Sequence, residues 1–211
     1  MKIDYSLYLV TDRELMSTAC IEDSVELAIQ GGCTLVQLRE KNISSREFFE
    51  VACRVKKITD RYAVPFLIND RVDIVMAVDA DGVHIGQSDL PAQAVRKLIG
   101  NEKIMGVSAC TVEEAEIAVR AGADYLGIGA MFSTATKTDA EIVSFEELLR
   151  IRERVNIPLV VIGGIHSGTI PLFPISSVDG FAVVSAIVAQ SDIKKAAADI
   201  KRLINASAII K

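Results

Sequence analysis

The sequence has no tryptophan, only two histidines and only four cysteines, and each scarcity argues against a class of function. With only His84 and His166, a histidine-based catalytic triad or a metal site built from several histidines is not expected. The four cysteines contain no CxxC pair and match no zinc-binding spacing. We therefore expect them to be buried or half-buried thiols in a reducing cytoplasm. They are Cys20, Cys33, Cys53 and Cys110.

Long apolar runs and excess positive charge are also missing. No apolar run approaches the ~20 residues that a membrane-spanning helix needs. The first 13 residues lack the pattern of a secretion signal. A net charge of -5 argues against binding to a nucleic-acid backbone, which normally needs a basic stripe. We expect a cytoplasmic protein that acts on small molecules and binds neither membrane nor nucleic acid. A homo-oligomer is left open.

Short apolar runs alternate with longer amphipathic segments along the whole chain. The short runs are almost continuously apolar, as parallel strands buried on both faces are. Eight strand–helix units in 211 residues predict an α/β protein, a TIM (β/α)8 barrel forming a single domain over residues 1–211, with a frayed tail at 206–211. An open doubly wound sheet has the same local pattern. The predicted strands are residues 7–10, 34–38, 64–68, 81–85, 103–107, 125–128, 158–162 and 180–184. The predicted helices are residues 20–30, 44–62, 72–78, 91–99, 111–121, 144–155 and 192–205.

Polar residues and glycines follow strands 2 to 8, where a barrel has its active-site mouth. Three cations stand out among them: Arg39 and Lys41 after strand 2, and Lys137 after strand 6. Arginine and lysine supply the positive charge and the N–H donors that a phosphate group needs. These residues predict a phosphate site, and three solvated surface cations are the alternative.

Two carboxylates, Asp70 and Asp89, follow the neighbouring strands 3 and 4. Mg²⁺ prefers one or two protein carboxylates, together with waters and phosphate oxygens of the substrate. The pair is therefore a candidate Mg²⁺ site. Two alternatives remain open: a helix cap for Asp70 with a loop cap for Asp89, or acid–base catalysis by the pair.

Glycines and a serine follow the last two strands. Gly163 and Gly164 come after strand 7, and Val184 and Ser185 end strand 8. Glycine lets backbone N–H groups approach an oxyanion closely. Because the loops after strands 7 and 8 are the usual phosphate site of this barrel, they predict a second phosphate site.

Three further features are the segment 133–141 and the two histidines. Residues 133–141 are rich in hydroxyls and short of apolar side chains, which fits a flap that closes over the mouth or an ordinary surface loop. We expect His84, inside a strand, to be a hydrogen-bonded structural residue. We expect His166 to lie at the surface.

Taken together and in order, these motifs resemble the thiamine-phosphate synthase family over nearly the whole chain. The matching runs are Gln37-Leu-Arg-Glu-Lys41, Ile68-Asn-Asp-Arg71, Asp81-Gly-Val-His-Ile-Gly-Gln87 with Asp89, Gly106-Val-Ser108, Gly122-Ala-Asp-Tyr-Leu-Gly-Ile-Gly129, Thr134-Ala-Thr-Lys137, Ile162-Gly-Gly-Ile165 and Val184-Ser-Ala-Ile187.

The resemblance implies a TIM barrel that condenses hydroxymethylpyrimidine diphosphate with hydroxyethylthiazole phosphate, giving thiamine phosphate and pyrophosphate. It implies one Mg²⁺ held by Asp70 and Asp89, and catalytic roles for Lys137, Arg39 and Ser108. The residues implied for the pyrimidine diphosphate are Gln37, Leu38, Arg39, Glu40, Lys41, Asn69, Ser108 and Lys137. Those implied for the thiazole phosphate are Thr134, Ala135, Thr136, Gly164, Val184 and Ser185.

The chain departs from the family pattern in two places. Ala135 stands where members often have proline, and residues 166–179 lack the usual asparagine and the later Gly-Ala-Asp. Two other functions are kept as alternatives. One is a related barrel that isomerises the thiazole ring, and the other is a non-catalytic barrel that binds a phosphorylated metabolite.

Overall fold

The computed structural model describes residues 3–133 and 141–208, and within them eight strands alternate with helices. The strands are β1 (Leu7–Val10), β2 (Leu35–Leu38), β3 (Phe66–Asn69), β4 (Gly82–Ile85), β5 (Ile104–Ala109), β6 (Tyr125–Ile128), β7 (Leu159–Val161) and β8 (Gly180–Val183). The α-helices are α1 (Ile21–Gln30), α2 (Ser45–Tyr62), α3 (Val72–Val78), α4 (Ala92–Ile99), α5 (Val112–Arg120), α6 (Phe145–Arg154), α7 (Ser185–Val188) and α8 (Ile193–Ala208). Every predicted strand and helix is found, with ends shifted by a few residues.

The eight strands are parallel and close into a barrel. β8 pairs with β1, so that Leu9 lies opposite Val36 on one side and Val183 on the other. An open sheet would leave two edge strands unpaired, and the pairing of β1 with β8 leaves none. The predicted TIM barrel is confirmed, and the carboxyl ends of all eight strands meet at one mouth.

Side chains along each strand alternate between the barrel interior and the helix layer. Outside the barrel, residues such as Leu7, Val36 and Phe66 pack with the apolar faces of the helices, represented by Val25 and Val51. Full burial of such a side chain stabilises the fold by about 1.5–3 kcal/mol. A smaller cluster lies inside the barrel, and its members are Tyr5, Tyr8, Val10, Leu35, Leu67, Tyr125, Val160 and Ala182.

Two interior glycines make room for two rings. A Cβ atom at Gly106 would lie 2.1 Å from Cζ of Tyr125, and one at Gly127 would lie 2.8 Å from Cε1 of His84. Any larger residue would displace a ring that is held inside the barrel. The two glycines therefore let Tyr125 and His84 share the interior.

The longest helix, α2, begins where the sequence predicts it. The Ser44 side chain accepts a hydrogen bond from the Glu47 N–H, and the Glu47 carboxylate accepts one from the Ser44 N–H. This reciprocal cap satisfies two N–H groups that have no partner inside the helix. The cap sets where α2 begins, and so where the loop that carries Arg39 and Lys41 after β2 ends.

The β7–β8 connection departs from the regular pattern, in the segment that also departs from the family sequence. It consists of two short 3₁₀ helices, Ile170–Leu172 and Ile175–Ser177. Pro171 and Pro174 cannot donate the backbone hydrogen bonds that a continuous α-helix needs. Phe173 instead turns inward and packs against Phe181, with ring centroids 5.5 Å apart.

The prediction of a frayed tail from residue 206 is wrong for Ala206 to Ala208. These residues continue α8, and the Ser207 hydroxyl donates to the Leu203 carbonyl oxygen one turn earlier. Alanine has the highest helix propensity, which explains why the helix extends beyond its last buried residue, Ile204. Residues 209–211 lie outside the described part of the chain.

Two expectations from composition can be compared with the described residues. No helix in the two described ranges is both long and apolar enough to cross a membrane. The four cysteines form no disulfide, and Cys33 is buried while the other three are half-buried, as expected.

Candidate active site

The structure brings the described candidate residues to the carboxyl-terminal mouth of the barrel. Gln37 and Asn69 are interior residues near the ends of β2 and β3, and both are buried. Ser108 occupies the corresponding level of β5 and is half-buried. Leu38 is the last residue of β2, and the other described candidates follow β2, β3, β4, β7 and β8. Side chains that are far apart in sequence therefore face one region.

Asp70, Asp89 and Lys41 form one charged cluster in this region. Lys41 Nζ donates to Asp70 Oδ2 at 2.6 Å, and the Gly86 N–H donates to Asp89 Oδ2 at 2.7 Å. Burial and the nearby Asp70 carboxylate raise the pKa of Asp89 above its ordinary value, against the opposing effect of the Gly86 N–H. Two carboxylates so close together repel each other, and a divalent cation between them would relieve that repulsion.

The cap alternatives hold for only one of the two aspartates. The residue that precedes α3 is Arg71, and no side chain caps this helix, so Asp70 has no capping role. Asp89 does cap its loop through Gly86, which leaves its second oxygen for another partner. Asp70 adopts a left-handed backbone conformation, with φ of 62°, and its N–H donates to the His84 carbonyl oxygen.

A metal at this point would rely on few protein ligands. In residues 3–133 and 141–208, no group of three or more His, Cys, Asp or Glu side chains is arranged to hold a metal ion. Two aspartates with oxygen donors from water and a phosphate suit Mg²⁺, which keeps several waters when it binds proteins. The donor set of Asp70 and Asp89 therefore fits the predicted ion.

Two ion pairs join the β1–α1 loop to the residues that follow β2. Arg39 Nη1 donates to Asp12 Oδ2 at 3.2 Å, and the Arg39 N–H donates to Thr11 Oγ1 at 2.9 Å. The Glu40 carboxylate, almost fully buried, accepts two hydrogen bonds from Arg13, at 2.9 and 3.0 Å. Glu40 thus positions a further cation at the mouth.

Sequence reasoning missed Thr11, Asp12 and Arg13. They follow β1, the one strand whose end was not considered, although the same polar pattern occurs there. Position after a strand was the signal that would have found them.

Leu38 has a different position from its neighbours. Its side chain is fully buried in the cluster between the barrel and the helices. Adjacent residues of a strand point to opposite faces, so the inward direction of Gln37 requires Leu38 to point outward. Any contribution of Leu38 to ligand binding is therefore limited to its backbone.

His84 is hydrogen-bonded on both ring nitrogens, as predicted for a structural histidine. Nδ1 lies 2.8 Å from the Tyr125 hydroxyl, and Nε2 lies 3.0 Å from Ser108 Oγ. Loss of water around the ring lowers the pKa of His84 to about 4, although Asp70 acts in the opposite direction. The ring is therefore neutral at pH 7. His166 is exposed, as expected.

The ends of β7 and β8 present backbone donors. Gly163 and Gly164 both have positive φ angles, 90° and 65°, that most side chains would strain. A Cβ at Gly164 would lie 2.7 Å from the Phe132 Cβ, so only glycine fits. The N–H groups of Gly164, Val184 and Ser185 donate to no described residue. Such unused donors can bind a phosphate.

The flap residues predicted for the site lie outside the described residues. They are Thr134, Ala135, Thr136 and Lys137. The adjoining Ser133 and Glu141 are described and exposed.

Comparisons with known proteins identify the family. A sequence model described as thiamine monophosphate synthase matches residues 7–187. Thiamine-phosphate synthase of Clostridium beijerinckii is 60% identical over 200 residues, covering 95% of this chain and 96% of that protein. The same-named protein of Ruminiclostridium cellulolyticum is 61% identical over 196 residues, covering 93% of each. The solved structure of thiamine phosphate pyrophosphorylase from Pyrococcus furiosus matches with a TM-score of 0.89 at 38% identity, covering 97% of both chains. The chain belongs to the thiamine monophosphate synthase family.

Proposed function

We propose that the chain is a transferase that condenses hydroxymethylpyrimidine diphosphate with hydroxyethylthiazole phosphate, releasing pyrophosphate and giving thiamine phosphate. The observation that carries the proposal is the meeting of Lys41, Asp70 and Asp89 at the mouth of a barrel from this family. A cation beside two carboxylates can hold a diphosphate together with a divalent ion. The proposal includes a cytoplasmic location, which the absence of disulfides supports.

Asp70 and Asp89 are the residues that would hold one Mg²⁺. When bound, the ion would neutralise negative charge on the diphosphate as it leaves. The pKa of Asp89, raised by burial and by the neighbouring Asp70 carboxylate, supports this assignment, because a divalent cation would relieve the repulsion between the two acids. Lys41 already reaches Asp70, so a diphosphate held at the metal would lie beside its ammonium group.

The remaining charge of the diphosphate would be met by Arg39, Lys41 and Lys137. These groups would stabilise the pyrophosphate that forms when the bond between its oxygen and the pyrimidine methylene carbon breaks. The electron pair of that bond leaves with the pyrophosphate oxygen. The amino-substituted ring delocalises the positive charge left on the methylene carbon, and the thiazole nitrogen then attacks that carbon.

No protein nucleophile is needed in this sequence of steps, so the chain would act by binding and orientation. Gln37, Asn69 and Ser108 would orient the pyrimidine from the floor of the mouth. The N–H groups of Gly164 and Ser185, with Val184 and residues 134–136, would hold the thiazole phosphate. Orientation of two reactants can supply roughly 7–11 kcal/mol of the barrier.

An omit-one assay tests the reaction and separates the alternatives. The protein is mixed with both substrates and Mg²⁺, and pyrophosphate is measured, with each substrate left out in turn. We expect pyrophosphate only with both substrates present. A thiazole isomerase would change the thiazole phosphate alone and release none, and a binding protein would retain the thiazole phosphate unchanged. Either result would overturn the proposal.

A further inference from the structure

Five polar side chains form one continuous hydrogen-bonded path across the barrel interior. Gln37 Nε2 donates to the Tyr8 hydroxyl at 2.6 Å, and the hydroxyls of Tyr8 and Tyr125 lie 2.9 Å apart. The path continues from Tyr125 to His84 Nδ1 at 2.8 Å and from His84 Nε2 to Ser108 Oγ at 3.0 Å. Its two ends are residues of the candidate active site, and its three central residues have no part in the proposed chemistry.

The order of protons along this path follows from the first hydrogen bond. Tyr8 accepts from Gln37, so its single proton goes to its other partner, Tyr125. Tyr125 in turn gives its proton to His84 Nδ1. A neutral histidine that accepts at Nδ1 carries its proton on Nε2, which then donates to Ser108 Oγ.

At each end of the path, one hydrogen-bonding group remains available for a ligand. Ser108 accepts from His84, so its own proton points elsewhere. Gln37 uses Nε2 on Tyr8, and its Oε1 accepts from no described residue. The mouth thus offers one acceptor and one donor from opposite ends of a single network.

We propose that Tyr8, Tyr125 and His84 are positioning residues that fix this polarity, holding Gln37 Oε1 as an acceptor and the Ser108 hydroxyl as a donor. Both tyrosines are neutral at pH 7, because burial raises the pKa of each hydroxyl. A buried network in which each group has its partner resists rearrangement, since any reversal must move every proton in turn.

The polarity has a consequence for substrate choice, and this step rests on the proposed function. An aminopyrimidine edge carries an amino donor beside a ring-nitrogen acceptor. The amino donor complements the Gln37 acceptor at one end of the network, and an acceptor atom elsewhere on the bound substrate would complement the Ser108 donor at the other end. An oxo group in place of the amino group would put an acceptor against the Gln37 acceptor, and a site with fixed polarity rejects such a mismatch strongly.

Nitrogen-15 NMR of histidine-labelled protein tests the proton order without turnover. The His166→Gln variant leaves His84 as the only labelled residue. At pH 7.5 we expect Nε2 to show the shift and attached proton of a protonated nitrogen, and Nδ1 the shift of an unprotonated one. A proton on Nδ1 would mean the reverse order and would overturn the proposal.

Two variants and one control test the positioning role. Tyr8→Phe should keep the His84 tautomer, because Tyr125 still donates to Nδ1, but should release Gln37. Tyr125→Phe should remove the tautomer preference as well. Each should raise KM for the pyrimidine diphosphate by about tenfold, as expected for the loss of one or two neutral hydrogen bonds, and leave KM for the thiazole phosphate within about twofold.

Tyr5→Phe is the matched control. The Tyr5 ring packs on the Tyr125 ring with centroids 4.9 Å apart, and its hydroxyl bonds to no described residue. It should therefore leave tautomer and kinetics unchanged. If Tyr5→Phe and Tyr8→Phe had equal effects on the two KM values, the tyrosines would contribute only through packing and not through hydrogen bonds. That result would overturn the proposal. If Tyr125→Phe does not fold, the KM values of Tyr8→Phe and the His84 tautomer of the wild-type protein still test the proposal.

The two proposals fail separately. The predicted tautomer without pyrophosphate release in the wild-type protein would leave the network standing and overturn the reaction. Pyrophosphate release with a proton on Nδ1 would do the opposite.

Discussion

The substitution Asp70→Asn tests the charged part of the site with little disturbance of the fold. Asp70 has a φ of 62°, a conformation that asparagine tolerates and that costs alanine about 1–2 kcal/mol. The Lys41 side chain in its ion pair is half exposed, so losing the pair should change the free energy of unfolding by no more than about 1 kcal/mol.

Turnover should respond more strongly than stability. Asp70 supplies one of only two carboxylates for the divalent cation, and we expect kcat/KM for pyrophosphate release to fall by at least about tenfold, which corresponds to about 1.4 kcal/mol. Denaturant unfolding, followed by circular dichroism, gives the stability of the same preparation. A variant that keeps more than half of the wild-type kcat/KM would refute the metal role of Asp70.

Asp79→Asn is a closely matched control at the opposite end of the barrel. Asp79 also has a left-handed backbone, with φ of 53°, and also accepts from a lysine, Lys103 Nζ, at 2.6 Å. It precedes β4 and therefore lies at the amino-terminal end of the strands. Turnover should be unaffected. A loss equal to that of Asp70→Asn would show that backbone or ion-pair effects, rather than position at the mouth, explain the result.

Three further substitutions test other parts of the account. Lys137→Ala should slow pyrophosphate release by about tenfold or more with an unchanged circular dichroism spectrum, because it removes one cation from the departing diphosphate; unchanged kinetics would exclude that role. Gly106→Ala should lower the free energy of unfolding by at least about 1–3 kcal/mol, because its Cβ would overlap the buried Tyr125 ring, and a wild-type Tm would contradict the interior packing. Arg13→Ala should cost about 1–3 kcal/mol in denaturant unfolding, because the buried Glu40 carboxylate loses both described side-chain donors, and adding Glu40→Ala should recover part of that loss. A double variant no more stable than Arg13→Ala would contradict this explanation.

The barrel itself could be predicted because each strand is short and continuously apolar, and because polar residues follow the strands in order. The same reasoning located Asp70, Asp89 and Ser108 at one mouth. Strict alternation along β2 would also have turned Leu38 away from the site once Gln37 was placed inside. Pro171 and Pro174 would likewise have indicated that no regular helix joins β7 to β8.

The interior network could not be predicted in the same way. Tyr8 and Tyr125 are 117 positions apart, and Tyr125 and His84 are 41 apart. Which interior side chains meet depends on the tilt and stagger of the closed barrel, which local periodicity does not contain. The pairing of Arg13 with Glu40 is likewise set by how β1 and β2 end side by side. Contacts of this kind become visible only once the barrel is closed.

Calorimetric titration with pyrophosphate, the predicted product, tests most directly whether Asp70 and Asp89 hold a diphosphate through one divalent cation. The titration is run with Mg²⁺ and again with a chelator, on the wild-type protein, Asp70→Asn and Asp79→Asn. We expect one pyrophosphate per chain with Mg²⁺, at least about tenfold weaker binding with chelator or in Asp70→Asn, and no change in Asp79→Asn. Equal affinity with and without the metal ion would contradict the account.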